Sequence, residues 1–376
     1  MDINKNRPTR EVRKGMLLPD MEPNWKEIWW GMPEFKMEDA TPNYQITMNF
    51  MTKEDLEDFA KRLELPITTK SNSAWWPHQK RLKSREYEYV GKQTDSRYPI
   101  CIPSKGRFDC QTTGHLLDGL GVSYKFFVEK KERREYIDAL GRDKVVVMPF
   151  SDLGQGSIPA RNFIWEWAEK QGAKRHWILD DNIIKFARTN LNRRLQVNGG
   201  GFFNAMEDFV DRYKNIALAG PHDAAFVPDR ISTAPYHLNS RVYSCTLIDT
   251  RLPHRWRGRY NEDTDLSLRV LKDGYCTILF RALLMDKHAT HTGAGQSNAM
   301  KGGNTDNVYN TNDYRLSFAK SLQEQHPDCV EITWKFGRWH HQVDYSKFKR
   351  NKLQLCDGIT PIKTNNEYGM ELVRSK

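Results

Sequence analysis

Between Pro103 and Asn182 the chain alternates short apolar runs with amphipathic stretches, and the last run, His176 to Leu179, stops abruptly at Asp180, Asp181 and Asn182. The alternation predicts strands near 99–103, 124–128, 144–148 and 175–179, and helices near 112–120, 132–140 and 159–170. Such an order folds as a sheet of parallel strands joined by right-handed crossovers. Open α/β sheets bind ligands outside the carboxyl ends of their strands. The acid loop therefore falls where a ligand is expected.

The rest of the chain bounds what that ligand is. A formal net charge of +10 over 376 residues favours polyanionic partners, and eleven tryptophans add stacking surfaces. The six cysteines, Cys101, Cys110, Cys245, Cys276, Cys329 and Cys356, lack paired spacing, so neither a disulfide framework nor a structural zinc site is indicated and a reducing, cytoplasmic setting is expected. No run approaches the ~20 apolar residues that span a bilayer, which disfavours membrane-bound glycan synthesis.

Four segments are expected. Residues 1–20 (Lys5, Arg7, Arg10, Arg13, Lys14) read as a basic flexible arm, and 21–95 as a small α+β unit. In that unit YQITMNF alternates like a strand, Thr52 caps an amphipathic helix, and a second extended piece ends at Pro77. Trp25, Trp29, Trp30, Trp75 and Trp76 are expected at its centre. Residues 96–320 form the main α/β domain, and 321–376 a basic, aromatic extension.

Three constellations accompany the acid loop. Gly154, Gly156 and Ser157 with Arg161 and Asn162 precede its strand and offer backbone donors and a cation to an anionic ligand. Glu262 and Asp263, in NEDTD, open a helix; they favour its dipole, or one of them acts as a general base. Asp286, His288 and His291 follow a later strand and could supply a metal ligand or a phosphate contact. Oxygen donors at a strand end suit magnesium or manganese on a diphosphate, although acids there also cap helices.

The blocks GQGSIPARNFIWEWA, RHWILDDN and RGRYNEDTDLSLRVLKDGY are similar to those of family 2-type nucleotide-sugar glycosyltransferases with the GT-A fold. More narrowly, IPSKGR, the FFVE strand end and ILDDNI resemble the TET/J-binding-protein-associated glycosyltransferases of phages and kinetoplastids, assigned to glycosylating 5-hydroxymethylpyrimidines in DNA. The resemblance implies a Rossmann-like nucleotide-sugar domain with a mixed central sheet. It also implies a soluble inverting enzyme, in the host cytoplasm if viral, that takes a sugar from a UDP-sugar such as UDP-glucose.

Carried over by position, Pro103, Ser104, Arg107 and Glu129 would frame the nucleoside, Gly156 and Arg161 the loop or ribose above it, and Asp180 the ribose or sugar. Asp181 and Asn182, with His291 or His288, would hold Mn2+ or Mg2+ on the diphosphate. Asp263, or less readily Glu262, would deprotonate the acceptor. The chain departs from the pattern at Asn182, where aspartate is commoner, and the Gly/Asn-rich loop after Gly295 is placed like a lid.

Two stretches interleave cations with aromatics, as nucleic-acid contacts do. One holds Arg255, Trp256, Arg257 and Arg259; the other holds Lys335, Arg338, Lys349 and Arg350. Tyr236, His237, Tyr243 and Trp256 are candidates for lining a pocket around a flipped base. The competing readings are a soluble transferase for a glycan, protein or small molecule, and a non-catalytic DNA-binding protein that keeps the fold.

Overall fold

The computed structural model describes residues 25–77, 84–228, 231–258, 260–288, 312–335 and 337–375, with backbone alone at 312–314. The basic arm at 1–20, Arg259, His291 and the loop after Gly295 lie outside the described residues.

Among the described residues one mixed sheet of twelve strands organises the fold. Its first part is the alternating unit: β2 (Ile100–Pro103), α3 (Thr112–Leu120), β3 (Lys125–Val128), α4 (Arg133–Leu140), β4 (Val145–Val147), α5 (Ile158–Lys170) and β5 (Arg175–Leu179). These strands pair in parallel in the order β5, β2, β3, β4. The chain thus runs outward from β2 to β4 and returns through α5 to the other side of β2. The order reverses between β2 and β5, which is the switch point where such sheets open a crevice.

Alternation along these strands feeds a core on each face. Ile100 and Ile102, Phe126 and Val128, and Trp177 and Leu179 join one apolar cluster, whereas Cys101, Phe127 and Ile178 join the other. Strands buried on both faces read as continuous apolar runs, as these do.

Beyond the acid loop the sheet continues with β6 (Ile183–Asn190), β7 (Arg193–Asn198), β8 (Ile216–Asp223), β9 (Tyr236–Leu238), β10 (Cys245–Asp249) and β11 (Cys276–Lys287). β10 is antiparallel to both β5 and β8, and β11 runs parallel to β8 and antiparallel to β6. α6 (Gly201–Asp211) buries Phe202, Phe203, Met206, Phe209 and Val210 against the larger cluster. Each such side chain contributes roughly 1.5–3 kcal/mol.

The far edge is closed by distant segments. β1 (Tyr87–Val90) lies parallel to β7, and β14 (Glu371–Arg374) covers β1 antiparallel. Where these strands meet α6 the backbones touch. A Cβ on Gly200 would lie 1.6 Å from the Thr94 carbonyl oxygen, and one on Gly201 2.2 Å from that of Tyr368, so only glycine fits either position.

The segment before β1 differs from expectation. α1 (Trp25–Ile28) and α2 (Lys53–Arg62) are helical, and α2 carries the expected cap, reinforced by Asp55: Thr52 Oγ1 accepts from Asp55 N, and Asp55 Oδ2 from Thr52 N, both at 3.1 Å. Tyr44 to Phe50, however, forms no strand, and Tyr44, Ile46 and Met48 are exposed, with no described strand pairing with them. Nor do the tryptophans gather at one centre. Trp29 enters the main core against Phe209, Tyr236 and Phe280, Trp30 lies under the Arg212 guanidinium, and Trp76 is exposed.

After β11 come α8 (Asn312–Gln325), which follows α7 (Glu262–Lys272) in helix order, and an antiparallel ribbon of β12 (Val330–Lys335) and β13 (Arg338–Val343). Leu268 and Leu271 of α7 share an apolar cluster with Leu322, Cys329, Val330 and Phe348, which fastens this extension to α7.

Candidate active site

The acid loop turns at the end of β5 and is locked from beneath by Thr113 of α3. Thr113 donates its hydroxyl to the Asp180 carbonyl at 2.7 Å and accepts from Ile183 N at 2.9 Å. Both ends of the loop are thereby fixed by one side chain, for which the sequence carried no signal.

The two acids face different partners. Ser104, just past β2, donates to Asp181 Oδ2 at 2.7 Å, and Arg107 holds the other oxygen. Tyr136 supports both, lying 2.7 Å from Ser104 Oγ and accepting from Arg107 N at 3.0 Å. Burial raises the Asp181 carboxyl above its ordinary value, with the Arg107 guanidinium opposing it. Asp180 behaves oppositely. Burial would raise it, yet Lys287 and Arg161, each 3.3 Å away, hold it below the usual range.

Arg161 ties this pair to the start of α7. Its guanidinium lies over the Trp256 ring at 4.7 Å, its Nε donates to Ser157 Oγ at 3.2 Å, and the same Nε is 3.9 Å from Glu262 Oε1. Ser157 Oγ also donates to Glu262 at 3.2 Å. Burial, with Asp263 beside it, raises the Glu262 carboxyl against the pull of Arg161. Asp263 points away from this cluster toward Arg241, whose Nε is 3.8 Å from Oδ2, and its Oδ1 accepts from Thr264 N at 2.7 Å.

Glu129, at the end of β3, holds the crevice wall. It accepts from Lys105 at 2.9 Å and from Asp152 N at 3.1 Å, and Lys105 reaches Asp152 at 2.8 Å. Pro103 ends β2 and Gly156 turns the chain into α5 with φ 66°. The structure thus brings together Ser104, Arg107, Glu129, Arg161, Asp180, Asp181 and Glu262 around the switch point. Lys105, Tyr136, Arg241, Lys287 and Ser244, which accepts from Lys287 at 2.7 Å, were not singled out by the sequence, although Lys105 lies in IPSKGR and Lys287 beside Asp286 and His288.

The candidate metal ligands fit a hard cation in part. Both Asp181 oxygens already have donors, but Asn182 Oδ1 is buried and, among the described residues, without a hydrogen-bond partner, so it offers an oxygen that none of them uses. The Asn182 carbonyl accepts from His288 N at 3.2 Å, whereas His291 lies outside the described residues. Among the described residues no group of three or more His, Cys, Asp or Glu side chains could hold a metal ion. A small donor set of this kind suits magnesium or manganese that takes its remaining ligands from a diphosphate and water.

The match to known families decides the class. The model of the TET-associated glycosyltransferases matches residues 98–296, more than half of the chain. The chain belongs to this family. This TET-associated glycosyltransferase carries the α/β domain expected of a GT-A enzyme, and membership makes it an enzyme that uses a nucleotide-sugar donor in TET-associated DNA modification. The non-catalytic reading is thereby set aside. No curated protein matches the chain. No helix among the described residues is long and apolar enough to cross a membrane.

The candidate DNA contacts separate into two groups. Upstream of α7 the side chains are used internally: Arg255 bonds Glu169 at 2.6 Å, Trp256 is buried at 2% exposure, and Arg257 pairs with Asp265 at 2.9 Å. Trp256 under Arg161 has no face for a base, and Tyr236 is likewise in the core, which corrects both as pocket-lining residues. Tyr243 stays near the site with Arg241 over its ring at 4.5 Å, and His237 pairs with Leu279 in β11. Lys335, Arg338, Lys349 and Arg350 in the extension are exposed.

Proposed function

We propose that this glycosyltransferase moves a sugar, glucose from UDP-glucose in the simplest case, onto the hydroxymethyl group of 5-hydroxymethylcytosine or 5-hydroxymethyluracil in DNA, with inversion at the anomeric carbon. The observation that supports the reading is the bonded path from the acid loop through Arg161 to Glu262 at the start of α7, whose chain neighbour is Asp263.

In the donor half, Ser104, Arg107 and Glu129 border the nucleoside, and Asp180, held ionised by Arg161 and Lys287, accepts hydrogen bonds from ribose or sugar hydroxyls. A divalent cation held by Asp181, Asn182 and His291 would neutralise the diphosphate as it leaves. Arg161 and Lys287 place fixed positive charge beside the same leaving group.

In the acceptor half, Asp263 takes the proton of the hydroxymethyl group. Among the described residues its Oδ2 takes no hydrogen bond and lies 3.8 Å from Arg241, so a lone pair is available where a hydroxyl can approach. As the proton moves to Asp263, the acceptor oxygen bonds to the anomeric carbon from the face opposite the diphosphate. The carbon–oxygen bond to the diphosphate breaks, and its electron pair leaves with the nucleoside diphosphate. Glu262, raised by burial, stays on the donor side through Ser157 and Arg161.

The test is to incubate the protein with several sugar nucleotides and duplex DNA containing either hydroxymethylpyrimidine, with and without Mn2+ or Mg2+, and to weigh the released nucleosides. A mass gain of one hexose on the modified nucleoside is expected, and only with metal. Transfer to a glycan or protein acceptor but not to the DNA would overturn the acceptor assignment.

A further inference from the structure

The C-terminal ribbon presents an open indole and two exposed cations. β12 and β13 form a two-stranded sheet of their own, in register from Val330 opposite Val343 to Lys335 opposite Arg338. Side chains alternate across a strand, so the pairs Val330–Val343, Ile332–His341 and Trp334–Trp339 share one face. That face is buried at its base, where Val330 joins the cluster on α7. At its free end Trp334 and Trp339 meet edge to face, with centroids 5.0 Å apart, and Trp334 is 59% exposed. Cross-strand pairing explains the contact between the rings but not the open face of Trp334.

The ribbon stands beside the proposed base. Asn261, immediately before Glu262 and Asp263, donates to the Phe318 carbonyl of α8 at 3.1 Å, and the ribbon packs on α8. His341 lies close enough to Arg241 and Asp263 to feel both charges; burial and Arg241 pull it down to about 4 while Asp263 opposes. Same-face neighbours on a strand are about 7 Å apart, so Trp339 follows His341 by roughly that distance along the ribbon. On the opposite face Lys335 and Arg338 place two exposed cations at the turn, each steadied by its own ribbon: Lys335 donates to Gln342 at 2.5 Å and Arg338 Nε to His340 Nε2 at 3.1 Å, which leaves further donors on both.

We propose that the Trp334–Trp339 face is a stacking platform for one nucleobase of the acceptor strand, drawn out of the duplex stack beside Asp263, while Lys335 and Arg338 hold the neighbouring phosphates. The inference rests on the DNA-acceptor reading above. Charge complementarity and the open indole commit the surface to nucleic acid, since every base offers a π-face and every linkage a negative charge.

The test uses the full chain and a duplex with one 5-hydroxymethylcytosine next to 2-aminopurine, whose fluorescence rises when it unstacks. With Trp334→Ala, the KM for this duplex should rise roughly ten- to hundred-fold. The fluorescence rise should be lost, while donor affinity and transfer to free 5-hydroxymethylcytidine stay unchanged. Trp334→Phe should restore most of both signals. If Trp334→Ala lowers the unfolding temperature, Trp334→Leu, which keeps the apolar bulk, should give the same DNA defect. Wild-type KM and fluorescence in either variant overturn the platform and leave the DNA reading intact. A wild-type protein that neither binds nor modifies the duplex overturns both.

Discussion

Arg161 donates to Asp180 at 3.3 Å while its Nε stands 3.9 Å from Glu262, so one guanidinium, 10% exposed, serves carboxylates from two elements far apart in the chain. Replacing it with Met keeps the cover on Trp256 but removes the charge. A charge-assisted hydrogen bond at such a site is worth roughly 1.5–3 kcal/mol. The KM for sugar nucleotide should therefore rise at least about tenfold, read from initial rates at varied donor. An unchanged donor KM would detach Arg161 from the donor half.

Asp263→Asn separates binding from chemistry. The amide keeps the hydrogen bond from Thr264 but cannot take a proton, so donor affinity should hold while kcat falls by about 10²–10⁴-fold, the usual worth of a general base. Calorimetric titration with nucleotide sugar and single-turnover transfer read the two quantities. Weakened donor binding with little loss of rate would move the base to another residue.

Asp181→Ala should abolish metal-dependent transfer and leave the circular dichroism spectrum unchanged, because Thr113 fixes the loop through the backbone of its neighbours. Turnover equal to the native protein would remove the donor assignment altogether. Asn182→Asp is the complementary change: it places a second charge where Oδ1 now lacks a partner, and half-saturation should occur at lower Mn2+.

Acid should weaken the fold through its buried histidines. Burial holds His176 near 3 and His222 near 4, both below the ordinary 6.5. The folded state therefore binds fewer protons than the unfolded chain, and the stability is fully present above 6.5 and drains away as pH falls toward 4. Each unit of pH in that window costs about 1.4 kcal/mol per fully resisted proton. Urea unfolding at several pH values should show this slope, and His176→Gln should reduce it to the share that His222 leaves.

The strand and helix rhythm from Ile100 to Leu179 was legible because both faces of these strands are buried, leaving unbroken apolar runs between amphipathic helices. The acids were legible for a related reason: three polar residues directly after the buried run of β5 have no apolar partner to explain them. What the sequence hides is pairing at long range. Thr113 and Tyr136 look like ordinary helix residues until the fold sets them under Asp180 and Ser104. The basic run before α7 misled in the opposite sense, since Arg255 is spent on Glu169 and Arg257 joins Arg269 of α7 on Asp265, whose carboxyl burial would raise but His326 and the arginines hold far below its usual range. Charge in a sequence does not say whether the opposing charge is solvent, ligand or a neighbouring carboxylate.

The edge strand β1 has a consequence for biosynthesis. Among the described residues the outer edge of Tyr87 to Val90 is covered by Glu371 to Arg374, so during translation this edge waits with open hydrogen-bonding groups until those residues are made. An exposed strand edge is a template for wrong pairing. The nascent enzyme is thus most vulnerable to aggregation before β14 emerges, and truncation before Glu371 should raise the fraction that sediments as aggregate, although the crevice between β2 and β5, at the other side of the sheet, is already complete in sequence.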